Sequence, residues 1–151
     1  MMNNKHDVLY LGSQSRGRQE LLQAAKIPFC VVDHTSTERD VLYEGDSNAY
    51  VIAVAQDKMD RLLLPASHEI NGDFLFVLTA ETMIQVIESG ELFGKPENHA
   101  DALAMLDAMY EHQVRVVTGC CLEKRERVDG RRPTEVPGRV AANRMSRAVR
   151  G

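Results

Sequence analysis

The sequence predicts an α/β protein in which a sheet is flanked by helices, and three observations support this fold class. Apolar runs of strand length alternate with segments of helical periodicity from residue 8 to residue 122. Of the 151 residues, 44% are hydrophobic and 26% are charged, which is typical of one soluble globular domain. A domain of this size buries about 70% of the surface of its unfolded chain, so it can build a core without disulfides or structural metals.

The first part of the chain reads as strand, turn, helix and strand. Val8 to Leu11 form a short apolar run, and Gly12 to Ser15 form the turn that leads into a helix with an apolar face. Pro28 stops this helix, and Phe29 to Val32 predict a second strand.

A long helix and two further strands are predicted in the middle of the chain. After a polar stretch, Ser47 is expected to cap a helix from Asn48 to Leu64, which Pro65 closes. Phe74 to Leu78 form a continuous apolar run of the kind that is buried on both faces of a sheet. Met83 to Ile87 predict another strand, which ends in a turn.

The last periodic elements are a helix capped by Asn98 and a strand from Val114 to Leu122. Residues 125 to 151 contain eight arginines, three acidic residues, two prolines and three glycines, without an apolar stripe or alternation. We expect a disordered tail there, and therefore divide the chain into a domain at 1–124 and an Arg-rich tail at 125–151. An RNA- or DNA-binding tail is an alternative, but nucleic acid is not the expected partner because no aromatic residues separate the arginines.

Several classes of protein and of site are excluded by the composition. No apolar run reaches the roughly 20 residues of a membrane-spanning helix, and the start, MMNNKHDV, lacks a hydrophobic signal stretch. Three cysteines cannot build a disulfide framework, and the five histidines show no metal-binding spacing. We therefore expect a cytoplasmic protein with no membrane partner.

The turn after the first strand carries side chains that suit phosphate. Ser13 and Ser15 precede a helix whose first turn holds Arg16 and Arg18. Hydroxyls, guanidinium groups and the N–H groups of a helix N-terminus bind phosphate well, because that end of a helix carries partial positive charge. The alternative is an ordinary Ser cap with solvated arginines.

Glu81 follows the most hydrophobic predicted strand. Ligands of α/β sheets bind beyond the carboxyl ends of strands, so a carboxylate there can hold a metal or act as a general base. The alternative is a capping Glu in a loop. Lys58 on the long helix and Lys95 in a Gly-Lys-Pro turn are ordinarily solvated residues, and neither predicts a site by itself.

Six short motifs follow one another in a specific order. They are S-x-S-x-x-R-x-E-L-L at Ser13 to Leu22, F-x-V with a later acidic residue at Phe29 to Glu38, A-x-x-K at Ala55 to Lys58, A-[DE]-T at Ala80 to Thr82, G-x-x-x-G-K-P at Gly90 to Pro96, and V-x-T-G ending at Gly119. In this order the motifs resemble the Maf family of nucleoside triphosphate pyrophosphatases. The resemblance covers most of residues 8 to 122.

The resemblance implies a mixed central sheet flanked by helices, of Maf/ITPase type. It also implies hydrolysis of a nucleoside triphosphate to the monophosphate and pyrophosphate with a divalent metal, Mg²⁺ or Mn²⁺. The pyrimidine nucleotides dTTP and UTP are the favoured substrates because A-[DE]-T resembles the motif of that branch. A homodimer is one expectation for the assembly.

Roles for eight residues follow from the same resemblance. Glu81 would be the catalytic proton acceptor in place of the family's Asp, and it would hold the metal together with Glu38. The substrate would be bound by Ser13, Ser15, Arg18, Lys58, Thr82 and Lys95. Thr82 stands at a position that the family links to substrate choice. These roles agree with the chemistry, since a triphosphate needs cations, a metal needs carboxylates and an attacking water needs a base.

The chain departs from the family pattern in three places. Gly17 stands where the family has the first of two adjacent arginines, and Glu81 is one methylene longer than Asp. After Lys124 no segment resembles the family's D-K-A-G-x-Y-x-I-Q-G. We therefore expect a C-terminal portion that is truncated or divergent, and the alternative function is a catalytically impaired, nucleotide-binding remnant of the family.

Overall fold

The computed structural model describes residues 8–65, 74–126, 134–135 and 140–148, whose strands form one mixed sheet with helices against it. The elements are β1 (Leu9–Leu11), α1 (Arg16–Ala24), β2 (Phe29–Val31), α2 (Ser47–Asp60), β3 (Phe74–Val86), β4 (Leu92–Phe93), α3 (His99–Met109), β5 (Val114–Glu126), β6 (Thr134–Glu135) and β7 (Val140–Ala148). The predicted α/β class with a mixed sheet is confirmed. None of the helices in these ranges has the length and apolar character that crossing a membrane requires.

The sheet is parallel on one side and antiparallel on the other. β1 lies between β2 and β3 and runs parallel to both, while β5 runs antiparallel to β3. Leu11 at the end of β1 pairs with Leu78, and the amide of Gly12 donates a hydrogen bond to the Leu78 carbonyl oxygen at 2.8 Å. The turn after β1 is therefore held beside the part of β3 that follows Leu78.

Helix α2 packs across β3 and β5 and supplies the centre of the core. Its fully buried apolar residues are Val51, Val54, Ala55 and Met59. The hydroxyl of Thr79 on β3 donates to the carbonyl oxygen of Ala55 at 2.6 Å. Gly119 on β5 faces the helix so closely that a Cβ there would lie 2.5 Å from the carbonyl carbon of Val51. Contact between backbones therefore sets the position of α2 on the sheet.

The substitution Gly119→Ala is expected to lower the free energy of unfolding by about 1–3 kcal/mol, because its Cβ would push α2 away from the sheet. Gly17→Ala in α1 is the matched control, since its Cβ would meet only Ser15 Oγ, at 4.0 Å. Ala is favoured over Gly inside a helix by about 0.5–1 kcal/mol. Urea unfolding should give a lower midpoint for the first variant and a higher one for the second. Equal midpoints would contradict the close contact.

Helix α2 begins and ends earlier than the sequence predicts. Its N-cap is Asp46, whose carboxylate accepts two amide hydrogen bonds from the first turn at 3.0 and 3.2 Å, so the prediction of Ser47 as the cap is wrong. Ser47 is buried, and its hydroxyl donates to Gln85 Oε1. The helix ends at Asp60 instead of Leu64, because the residues after it hydrogen-bond to the segment that follows β2.

One strand, β3, takes the place of the two strands predicted between residues 74 and 87. The polar residues Thr79, Glu81 and Thr82 favour a loop in the sequence, but β5 pairs with β3 from Phe74 to Val86 without interruption. Backbone hydrogen bonds to a neighbouring strand therefore maintain the strand through the polar segment. Glu81 lies within β3, opposite Gly119, and not in a loop after a strand.

Two further strands follow β5 in the region where the sequence predicts a disordered tail. β6 and β7 pair with β5, with residues 140–148 opposite residues 114–122. Residues 140–148 show no apolar–polar alternation, and hydrogen bonding along the edge of β5 forms the strand without that pattern. β5 itself ends at Glu126, two residues past the predicted domain boundary at residue 124. Residues 127–133, 136–139 and 149–151 lie outside the described residues, and the division of the chain at 124 stays a prediction.

Candidate active site

A cleft of about 1150 Å³ opens beside the middle of β3, at the point where β1 ends. It is lined by all eight residues that the sequence singles out: Ser13, Ser15, Arg18, Glu38, Lys58, Glu81, Thr82 and Lys95. These residues are as many as 82 positions apart in the chain, and parallel pairing of β1 with β3 brings the first of them to the others. The structure thus brings all eight into one cleft, while their roles stay predictions.

The turn between β1 and α1 presents its two hydroxyls in different ways. Ser13 is buried, and its Oγ accepts hydrogen bonds from the Ser15 amide at 3.2 Å and from Arg18 Nη1 at 2.8 Å. Ser15 is the N-cap of α1, and its Oγ accepts from the Arg18 amide at 3.4 Å. The capping alternative is therefore realised at Ser15, which nevertheless lines the cleft.

Arg18 connects the turn to β3. Its Nη2 donates to Thr82 Oγ1 at 3.0 Å, and Thr82 Oγ1 shares a further hydrogen bond of 2.9 Å with Thr118 Oγ1 on β5. Arg16 does not take part, because its side chain is 94% exposed and lies 4.0 Å from Glu20. This first turn of α1 therefore contributes one guanidinium group, that of Arg18, to the cleft.

The opposite side of the cleft contains a lysine between two carboxylates. Lys58 Nζ donates to Glu81 Oε2 at 2.8 Å and to the Ala80 carbonyl oxygen at 3.3 Å, and it lies 3.5 Å from Glu38 Oε1. The side chains of Lys58 and Glu81 are only 11% and 13% exposed, against 39% for Glu38. The other oxygen of Glu81 accepts from the Thr82 amide at 3.0 Å. Each Glu81 oxygen therefore has a donor, which fixes its orientation.

The pKa values of the two carboxylates, Glu38 and Glu81, are shifted in opposite directions. Burial, a hydrogen bond shared with Glu81 and the charge of Glu81 raise the pKa of Glu38. Burial also opposes ionisation of Glu81, but hydrogen bonds from Glu38, Lys58 and the Thr82 amide and the charge of Lys58 outweigh it, so the pKa of Glu81 lies below its ordinary value. At neutral pH Glu81 is therefore ionised, as a metal ligand or a base must be.

Sequence reasoning missed His34 and Thr118, which also line the cleft. His34 Nδ1 accepts a hydrogen bond from the Ser36 amide at 3.2 Å, and burial together with the charge of Lys58 lowers the pKa of the ring. His34 is therefore a neutral imidazole, with its proton on Nε2. No spacing in the sequence points to His34, whereas the V-x-T-G motif contains Thr118 and could have indicated it.

The residues of the cleft fit a divalent metal of the kind that the resemblance implies. Carboxylate oxygens such as those of Glu38 and Glu81 are the ligands that Mg²⁺ and Mn²⁺ prefer. Within the described ranges, no group of three or more His, Cys, Asp and Glu side chains could hold a metal. Mg²⁺ commonly binds through one or two carboxylates together with substrate phosphates, and two carboxylates beside cationic side chains suit that mode.

The fold and the cleft together define an α/β protein in which cationic and hydroxyl side chains meet a pair of carboxylates near the end of a parallel strand. The sequence profile of the family described as Maf-like protein matches residues 8–149. The chain therefore belongs to the Maf-like protein family. The matched range contains all eight residues that the sequence singles out and that line the cleft.

Curated relatives are about one third identical to the chain over the aligned residues. A dTTP/UTP pyrophosphatase of Acholeplasma laidlawii is 37% identical over 120 residues, which cover 80% of this chain and 59% of the relative. A dTTP/UTP pyrophosphatase of Chlamydia felis is 33% identical over 129 residues, which cover 85% and 62%. A nucleoside triphosphate pyrophosphatase of Chlamydia muridarum is 32% identical over 120 residues, which cover 80% and 58%. The chain spans about three fifths of the length of these relatives.

Proposed function

We propose that the protein hydrolyses nucleoside triphosphates, with dTTP and UTP preferred, to the monophosphate and pyrophosphate. The observation that carries the proposal is the meeting of Arg18, Lys58 and Lys95 with the carboxylates of Glu38 and Glu81 in one cleft. A triphosphate requires cations along its length, and the attacking water requires an anion that accepts its proton. The names of the relatives support the choice of nucleotide.

The phosphate groups are held by donors on both sides of the cleft. Arg18 has donors beyond the two that contact Ser13 and Thr82, and a guanidinium group binds phosphate in a bidentate manner. Ser13 and Ser15 add hydroxyls at the start of α1, where the helix dipole favours an anion. Lys58 and Lys95 neutralise the remaining charge. Binding therefore positions the α–β bond between the phosphate turn and the carboxylates.

Glu81 accepts the proton of the attacking water. Its low pKa keeps the carboxylate ionised, and the contacts to Lys58 and to the Thr82 amide hold it in one orientation. Glu38 and Glu81 would hold Mg²⁺ or Mn²⁺, and the metal would supply neutralisation of the charge that develops on the phosphate oxygens. Thr82, which contacts Arg18, is the proposed determinant of substrate choice.

A second candidate function is nucleotide binding without efficient hydrolysis. The position of Arg16 favours it, because its guanidinium group points into solvent and only Arg18 of this turn reaches the cleft. The loss of one donor that stabilises the developing charge of a transition state typically costs about 100- to 1000-fold in rate. The cleft would then still bind a nucleotide through its remaining donors.

Pyrophosphate release from a panel of nucleotides distinguishes these candidates. We expect release to require Mg²⁺ or Mn²⁺, to yield monophosphate instead of diphosphate, and to be faster with dTTP and UTP than with ATP or dGTP. Calorimetric binding of a non-hydrolysable dTTP analogue without release from dTTP would support the second candidate. Neither binding nor release would refute both.

The setting of this activity is also part of the proposal. We place the protein in the cytoplasm, where nucleoside triphosphates are available, and we propose a homodimer as its assembly. Fractionation of the source cells tests the first statement. Light scattering of the purified chain tests the second, and a mass of one chain would refute it.

A further inference from the structure

The loop between β2 and α2 presents Glu38 to the cleft in an unusual backbone conformation. Glu38 has a φ of 66°, in the left-handed region that residues other than glycine rarely adopt. Such a conformation costs about 1–2 kcal/mol and persists where the surrounding contacts impose it. The contacts that hold this loop therefore decide where the Glu38 carboxylate lies.

Ser36 fastens the loop to helix α2. Its hydroxyl donates to Asp57 Oδ2 at 2.5 Å, and its Oγ receives a longer contact of 3.4 Å from the Glu38 amide. On the other side, the Ser36 amide donates to His34 Nδ1. The short segment from His34 to Glu38 is therefore organised around Ser36, and Asp57 connects that residue to the helix.

Both oxygens of the Asp57 carboxylate accept hydrogen bonds, one from Ser36 and one from Arg61. The second of them, Oδ1, accepts at 3.0 Å from Nε of Arg61, the C-cap residue of α2. The hydrogen bond from Ser36 is the largest of the effects that lower the pKa of Asp57, and the bonds and charge of Arg61 add to it. The carboxylate is therefore ionised over the whole neutral range, and its hydrogen bond to the Ser36 hydroxyl is charge-assisted.

Asp57 and Lys58 are consecutive residues of α2, so their side chains leave the helix about 100° apart. Asp57 binds the loop through the hydroxyl of Ser36. Lys58 contacts the carboxylate of Glu38 in the same loop, with its Nζ 3.5 Å from Glu38 Oε1. We infer that Ser36 and Asp57 are positioning residues that hold Glu38 against Lys58 and Glu81 in the cleft. The consequence for metal binding rests on the proposed function, whereas the position of the loop does not.

A second contact to the same loop supplies a matched control. Arg61 Nη2 lies 3.2 Å from Asp40 Oδ2, and this pair is far more exposed than the contact between Ser36 and Asp57. Exposed ion pairs contribute little, about 0–1 kcal/mol. Asp40→Asn therefore removes a carboxylate from the same loop and the same arginine without touching Ser36.

Backbone amide exchange across residues 33–41, measured by mass spectrometry on the full chain, tests the position of the loop without a substrate. Asp57→Asn and Ser36→Ala should each speed exchange about tenfold or more, whereas Asp40→Asn should change it less than about twofold. Ser36→Thr keeps the hydroxyl and should therefore exchange about as slowly as the native chain. Unchanged exchange in both Asp57→Asn and Ser36→Ala, or equal acceleration in Asp40→Asn, would overturn the inference.

Binding of Mn²⁺ in the presence of a non-hydrolysable dTTP analogue, followed by electron paramagnetic resonance, tests the consequence for Glu38. Asp57→Asn should weaken Mn²⁺ binding about 10- to 100-fold, as loss of a group that orients a metal ligand typically does. In a Glu38→Gln background the same substitution should add less than about twofold, because both changes act through one carboxylate. Additive losses would overturn the positioning role. If the native chain binds no Mn²⁺ and releases no pyrophosphate, the proposed function fails, and the exchange result alone decides the inference.

Discussion

The substitution Glu81→Gln should lower metal-dependent pyrophosphate release about 1000-fold or more. The change keeps the shape of the side chain and its acceptor for the Thr82 amide, but removes the negative charge that a metal and a proton acceptor both need. Lys58 also loses its closest carboxylate, at 2.8 Å. Steady-state release of pyrophosphate from dTTP at saturating Mg²⁺ is the measurement.

Glu81→Asp is the matched variant, because it keeps the charge and removes one methylene. We expect it to retain or raise the activity, since Asp is the residue that the resemblance places there. The two variants should differ widely in rate, because only Glu81→Asp keeps the negative charge that a metal and a proton acceptor need. Robust release by Glu81→Gln would show that Glu81 is not the catalytic residue.

The substitution Lys58→Met should lower kcat/KM about 100- to 1000-fold, because it removes the cation that faces both carboxylates and that the proposed function assigns to the substrate phosphates. Methionine keeps most of the length of the side chain, so the loss reports the charge. The two carboxylates would then lie together without a positive partner, and the free energy of unfolding should fall by about 3 kcal/mol. Initial rates and urea unfolding of the same preparation give both values.

Arg16→Met is the control for this effect. It also replaces a long cation by methionine, but the Arg16 side chain is exposed and lies outside the cleft. We expect less than about a twofold change in kcat/KM, since charges in solvent are screened within about 10 Å. An equal loss in Arg16→Met and Lys58→Met would indicate that overall charge, and not contact in the cleft, governs activity.

The sequence predicted the elements whose signals are local. Pro28 and the apolar runs located β1 and β2, and Asn98 was recognised as the cap of α3, where its side chain accepts from the Asp101 amide at 2.8 Å. The continuity of β3 was missed because it depends on β5, a strand about 40 residues further along the chain. The cap of α2 was placed one residue late because Asp46 and Ser47 are both good capping residues, and burial against Gln85 decides between them.

Most residues of the candidate site could be predicted from local motifs, whereas the contacts among them could not. The order of the motifs was enough to select Ser13, Arg18 and Glu81, since each motif carries its own residue pattern. The contacts among them were beyond the sequence, because the 2.8 Å pair of Lys58 and Glu81 exists only through the packing of α2 on β3. His34 gave no signal, since a lone histidine in a polar segment is ordinarily a solvated residue.

The close contact between Gly119 and α2 makes one wall of the cleft stiffer than the other. Where backbone meets backbone no side chain can rearrange, so the sheet and the helix with Lys58 and Glu81 keep their spacing when a ligand enters. The facing loop, residues 33–46, begins with backbone hydrogen bonds to residues 61 and 63, and further along it is fastened by side chains, at Ser36 to Asp57 and at the Tyr43 hydroxyl to the Gly90 carbonyl oxygen. We therefore expect the part of the loop beyond Glu38 to adapt to nucleotides of different size, while Lys58 and Glu81 hardly move.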